Sequence, residues 1–269
     1  MSDGERRIAA AFDAARSEGR AALMPYVMGC FPDDRTASAV AHAYAEAGAD
    51  MVEVGVPFSD PLADGPVIHA AATRALADGA SFERSIALCD ALGDGVPSIV
   101  MCYANMVQAM GAKRFAGRLA DAGAAGAIVP DLPLEEAGET RDALAEQGLA
   151  LAPLVAPTTP DARRREICAS ARGFVYVVSL VGVTGERESL PAGLEANVAA
   201  ARADAEVPVA VGFGISTPSQ VAEVGRIADG VIVASRLVRE VGDATDADSA
   251  ARVVGAFVSD ARAEMSAAR

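Results

Sequence analysis

Histidine and lysine are nearly missing from this chain of 269 residues: it has two histidines, His42 and His69, and one lysine, Lys113. Catalysis built on histidine pairs or on a Schiff-base lysine therefore has almost nothing to draw on. The basic residues are scattered, with no run longer than Arg163–Arg165, and 37 acidic against 23 basic residues leave a net charge of −14. That field repels phosphodiester backbones and anionic lipid, so neither nucleic acid nor a membrane surface is an expected partner. The four cysteines, Cys30, Cys89, Cys102 and Cys168, form no C-x-x-C pair and have no histidine at ligand spacing. They read as small core residues of a protein in the reducing cytoplasm, and no metal site is expected. The longest uncharged stretch, Gly95 to Ala112, is interrupted by Pro97, Asn105 and Gln108, a poor membrane span. The N-terminal segment is charged and lacks the apolar core of a secretory signal.

With 52% hydrophobic residues the chain can bury a large core and is no disordered polymer. Eight short apolar runs recur, starting at Leu23, Asp50, Ser98, Gly126, Leu149, Gly173, Val207 and Gly230, with helix-patterned segments between them. Runs apolar on both faces suit a parallel sheet buried on both sides. Segments such as Thr36–Gly48 and Met106–Gly123 end in Ala-Gly, a helix stop directly before the next strand. Eight βα units over about 250 residues are the pattern of an α/β, (β/α)8 TIM barrel. An open doubly wound sheet is the alternative, but no G-x-G-x-x-G follows the first strand. No linker divides the chain, which gives one domain over 1–269, with an extra N-terminal helix in 1–20 and a C-terminal helix in 245–269. The starts at Asp50 and Ser98 lie unusually far apart, so the loop after strand 2 is extended and must carry an extra element.

On this fold the chemistry is built where the strands end. The second strand ends VEVGVPFSDPLADGP. Glu53 is a carboxylate inside an apolar run, either a satisfied core acid or a general acid/base with a raised pKa. Asp60 and Asp64 follow in a loop rich in Pro and Gly, which by itself is ordinary turn chemistry. After the sixth strand, LVGVTGER is long enough to form a lid. The seventh ends GFGIS, with Thr217-Pro218 as a helix N-cap and first-turn proline; the eighth ends VIVAS. Loops after strands 7 and 8 frequently hold a phosphate at a helix N-terminus, and Gly212, Gly214 and Ser235 have the right types and places, although glycine there could serve tight packing alone. Lys113 sits in a helix away from any strand end. What remains is proton transfer by carboxylates on a small phosphorylated substrate, in a pocket that Tyr176 and Tyr103 could line; for Tyr103 plain packing is an equal reading.

Taken in order, VEVGVPFSDPLADGP (Val52–Pro66), YAN (Tyr103–Asn105), PDLP (Pro130–Pro133), GVTG (Gly182–Gly185) and GFGIS (Gly212–Ser216) resemble tryptophan synthase alpha subunits, over essentially the whole chain from Leu23 to Val238. The resemblance implies a carbon-carbon lyase that cleaves indole-3-glycerol phosphate to indole and D-glyceraldehyde 3-phosphate. It implies Glu53 as the acid/base at indole C3, Asp64 as acceptor for the indole N–H, and Tyr176 beside the glutamate as the third catalytic position. Gly185, Gly214, Ala234 and Ser235 match the phosphate-binding positions; Ile68, Tyr103, Thr184, Gly212 and Phe213 match the substrate pocket, with Thr184 contacting the aspartate when the lid closes.

The resemblance further implies no cofactor in this subunit, pyridoxal phosphate being expected only in a partner beta subunit that receives the indole, within an α2β2 heterotetramer. The loops after strands 2 and 6 and PDLP with Glu135 and Glu136 would face that partner. Two departures stand out: Ala234 replaces a common glycine, which a negative φ permits, and YVMGCFPDD brings Met28 and Cys30 to the pocket floor in place of a Thr-containing version. Rival readings are an inert barrel that only activates a beta subunit, and another phosphosugar barrel enzyme, an isomerase or synthase; the synthase would need a strand-end lysine that is absent.

Overall fold

The computed structural model describes residues 1–178, 193–212 and 214–267. Within them nine parallel strand segments form one sheet: β1 (Ala22–Met28), β2 (Val52–Gly55), β3 (Ser98–Met101), β4 (Gly126–Ile128), β5 (Ala150–Leu151), β6 (Leu154–Val155), β7 (Val175–Val178), β8 (Val209–Gly212) and β9 (Gly230–Val233). Their order is β5-β4-β3-β2-β1-β9-β8-β7-β6, and every pair is parallel. The two ends of that order are adjacent in the chain, so the sheet curls into a TIM-barrel-like closure. The single fifth strand expected over Leu149–Val155 is divided because Pro153 has no N–H to offer the ladder. Its first half, β5, pairs with β4, and its second half, β6, pairs with β7. The Pro153 carbonyl still accepts the Tyr176 N–H at 2.9 Å.

Every residue of β1, β2, β3, β7, β8 and β9 is buried, as strands packed on both faces require. The outer face is covered by α2 (Asp34–Glu46), α3 (Pro66–Ala77), α4 (Phe82–Leu92), α5 (Ala104–Met110), α6 (Ala112–Asp121), α7 (Gly138–Glu146), α8 (Asp161–Ser170), α9 (Leu194–Asp204), α10 (Pro218–Gly225), α11 (Ser235–Asp243) and α12 (Ala247–Ala267). α3 and α4 are the extra length between β2 and β3. Gly111, at φ +85, separates α5 from α6 inside what reads in sequence as one helical segment. Among the described residues no helix is long and apolar enough to cross a membrane.

The inside of the sheet is a second apolar cluster. Met24, Met51, Ile99, Ile128, Phe174 and Ile232 meet there, and Ile8, Phe12 and Ala15 of α1 (Asp3–Ser17) complete it. The Phe12 and Phe174 rings lie 6.0 Å apart. α1 starts in a capping box between Ser2 and Glu5, and the Gly4 N–H donates to the Gly148 carbonyl at 2.7 Å. These contacts lie at the end where the strands begin. The opposite end is left for the loops.

Candidate active site

Glu53 sits in β2 with Tyr26 of β1 and Ile99 of β3 as its register partners, and it is 3% exposed. Burial, reinforced by the Asp64 charge, pushes its carboxyl up to about 8. Among the described residues Oε2 has no hydrogen-bond partner. Of the two sequence readings, a satisfied core acid and a poised acid/base, the first requires partners for both oxygens, and Oε2 has none among the described residues, which costs stability.

Asp64 is brought alongside by the loop that follows. A turn in which the Asp64 N–H donates to the Pro61 carbonyl at 3.2 Å places the carboxylate, and Gly65 and Pro66 then start α3. The Tyr103 hydroxyl accepts the Ala63 N–H at 3.2 Å and hydrogen-bonds the Asp64 carboxylate. Its ring stacks on Phe58 with centroids 5.2 Å apart. Burial raises the Asp64 carboxyl to about 6, opposed by that hydrogen bond and by the His69 charge. Tyr103, which the sequence left open between pocket lining and packing, stands beside Asp64 as its prop.

Tyr176 on β7 and Tyr26 on β1 both reach the cavity. Each ring is accommodated by a glycine on the next strand. A Cβ at Gly212 would collide with the Tyr176 hydroxyl, and one at Gly55 with the Tyr26 hydroxyl. Gly212, expected as a pocket residue, gives the Tyr176 ring this clearance. Tyr26 was not singled out from sequence; within the run LMPYVM nothing distinguishes it from packing until the register with Glu53 is known.

The cavity, about 550 Å³ including its open mouth, is walled by Met101, Ile128, Leu154 and Ile232 together with Ile68. Glu53, Asp64 and the two tyrosines line it, and so do Gly214, Ala234 and Ser235. Ser235 is the first residue of α11, where N–H groups lack intrahelical partners and the helix dipole favours an anion. Gly214 adopts φ +79, a left-handed conformation that suits glycine. Ala234 lies at φ −121, so its methyl group is no obstacle. The expected site residues Thr184, Gly185 and Phe213 lie outside the described residues. Among the described residues no three His, Cys, Asp or Glu side chains are grouped to hold a metal ion. An apolar slot with two carboxylates and a helix N-terminus suits a flat ring joined to a phosphate.

Comparison with known proteins agrees. The family model for the tryptophan synthase alpha chain matches residues 12–267. The alpha chain of a Synechococcus species is 46% identical over 95% of this chain and 96% of its own, and that of a Roseiflexus species is 47% identical over 92% and 96%. Among solved structures, a chain of Mycobacterium tuberculosis tryptophan synthase is 36% identical over 96% of this chain and 98% of that one, with a TM-score of 0.89. The alpha subunit of Legionella pneumophila is 32% identical over 98% of both chains, with a TM-score of 0.87. With sequence and fold shared along almost its whole length, the chain belongs to the tryptophan synthase alpha chain family.

Proposed function

We propose that Glu53 and Asp64 carry out the family's reaction on this chain, the cleavage of indole-3-glycerol phosphate to indole and D-glyceraldehyde 3-phosphate. The observation that supports it most is two buried carboxylates of unequal acidity, about 8 and about 6, facing one apolar cavity that ends at a helix N-terminus. Near neutral pH Glu53 then holds its proton and Asp64 has lost its own, which is how two like groups take different roles. Asp64 accepts the indole N–H and stabilises positive charge as it develops on the ring. Glu53 delivers its proton to indole C3 and, as a carboxylate, takes the proton of the hydroxyl on the carbon bonded to C3. The carbon-carbon bond breaks as that hydroxyl becomes the aldehyde carbonyl; its electron pair returns to the ring, the proton given by Glu53 stays on C3 of the indole, and Glu53 is left protonated by the hydroxyl's proton.

The ring itself is the electron sink in this scheme, so this subunit needs neither a lysine nor a cofactor for the step. Tyr176 packs beside the glutamate, while Gly214, Ala234 and Ser235, with Gly185, hold the phosphate. By the family's pattern Thr184 and Phe213 also serve the substrate. We place the protein in the cytoplasm as one barrel domain, working with a pyridoxal-phosphate beta subunit in an α2β2 assembly. Purified protein incubated with indole-3-glycerol phosphate, with and without a beta subunit, should release indole and co-elute with that subunit. Glu53→Gln should lose roughly 100- to 10,000-fold in turnover, and Asp64→Asn should be severely impaired. Indole release by Glu53→Gln at nearly the unsubstituted rate would overturn the assignment.

A further inference from the structure

We propose that Tyr26 is a positioning residue for Glu53, its hydroxyl shifting from the Met28 thioether to the Glu53 carboxylate when that group gives up its proton. The inference rests on Glu53 being the acid/base of the reaction. Tyr26 is the register partner of Glu53 across the β1–β2 pair. In a strand, residues two apart share a face, so Gly55 lies on the same face as Glu53, one step nearer the strand end. The Tyr26 hydroxyl occupies the place where a Gly55 side chain would stand. This puts a phenolic O–H beside the carboxyl group, on the cavity side of the sheet, and both residues line the cavity.

The present partner of that hydroxyl is weak. It donates to Met28 Sδ at 3.6 Å, and a thioether is a poor acceptor. Glu53 Oε2 has no partner among the described residues. A buried donor held by a poor acceptor therefore sits next to a buried acceptor that has none. While Glu53 is protonated the sulfur suffices. Once the proton has gone to C3, the carboxylate is a far better acceptor, since hydrogen bonds to charged groups are about twice as strong as neutral ones. The groups that face Glu53 are Asp64 from the loop after β2, Tyr176 from β7 and Tyr26 from β1; Asp64, whose charge holds the glutamate proton on, is in turn faced by Tyr103 and His69. Tyr26 opposes Asp64 by favouring the ionised glutamate, and so tunes how readily the proton leaves. The Met28 departure from the commoner threonine gains a meaning here, because the side chain at that position sets how loosely the hydroxyl is held.

The test reads the pH profile rather than activity alone. Tyr26→Phe keeps the ring and removes the donor. Its kcat should fall roughly 10-fold with KM changed less than about 2-fold, and the alkaline limb of kcat/KM should move up by about one pH unit. Met28→Leu frees the hydroxyl from its competing acceptor and should move that limb the other way. In the Tyr26→Phe background, Met28→Leu should have no further effect. Tyr26→Phe with the kcat and the alkaline limb of the unsubstituted enzyme would overturn the proposal, as would a Met28→Leu shift that persists without the hydroxyl. If Glu53→Gln remained active, the acid/base assignment would fall instead, a separate outcome.

Discussion

Glu53 and Asp64 are both carboxylates, both buried and both raised in pKa, yet their surroundings separate them. Glu53 has a strand environment and a neighbouring negative charge; Asp64 has a tyrosine hydroxyl to stabilise its ionised form. The rate should follow the species with Asp64 ionised and Glu53 protonated. A profile of kcat/KM against pH should therefore be bell-shaped, falling below about 6 as Asp64 gains a proton and above about 8 as Glu53 loses one. Tyr103→Phe removes the hydrogen bond that favours ionised Asp64, so the acidic limb should rise in that variant while the alkaline limb stays. An acidic limb that did not respond would detach Tyr103 from Asp64. Residue chemistry of this kind was partly legible in sequence, because Glu belongs poorly in an apolar strand. The Tyr103 prop was not legible, since its partners Ala63 and Asp64 come from a different loop.

At the scale of elements, the site depends on glycines that give tyrosines room. Gly212 closes β8 directly beside the Tyr176 hydroxyl, as Gly55 closes β2 beside that of Tyr26. Gly212→Ala should push the Tyr176 ring out of place and lower kcat/KM by roughly 100-fold, the cost of misplacing an active-site group by about 1 Å. Adding Tyr176→Leu, which removes both the hydroxyl and the ring carbons that the new methyl would meet, should recover part of that loss. Titration of both variants with substrate, alongside their circular dichroism spectra, separates displacement from unfolding; failure of the second substitution to help would remove the steric account. The start of α10 was easier to anticipate. Thr217 does cap α10, accepting the Gln220 N–H, with Pro218 as its first residue. Caps are local signals, and they survive the absence of any tertiary information.

For the whole molecule, the barrel separates holding from doing. At the end where the strands begin, Arg20 is fully buried and grips Asp50 through two hydrogen bonds of 2.6 and 2.8 Å, while Asp50 also accepts the Leu23 N–H at 2.8 Å. That clamp ties the entry of β1 to the entry of β2. Arg20→Met should leave Asp50 as an uncompensated buried charge and cost about 3–5 kcal/mol. Urea unfolding should report that loss, while kcat of the folded fraction stays unchanged because the cavity lies at the opposite end. A lowered kcat without lost stability would contradict this division.

The order of strands and helices, the extra length after β2, the buried thiols and the two acids at a strand end follow from the sequence alone, because hydrophobic period, caps and the misfit of a charge in an apolar run are local properties. Nine strand segments rather than eight, the glycine clearances, the Tyr103 prop and the pairing of Tyr26 with Glu53 were decided by tertiary structure. Each depends on register between strands distant in the chain, and one step of register exchanges the faces of every side chain.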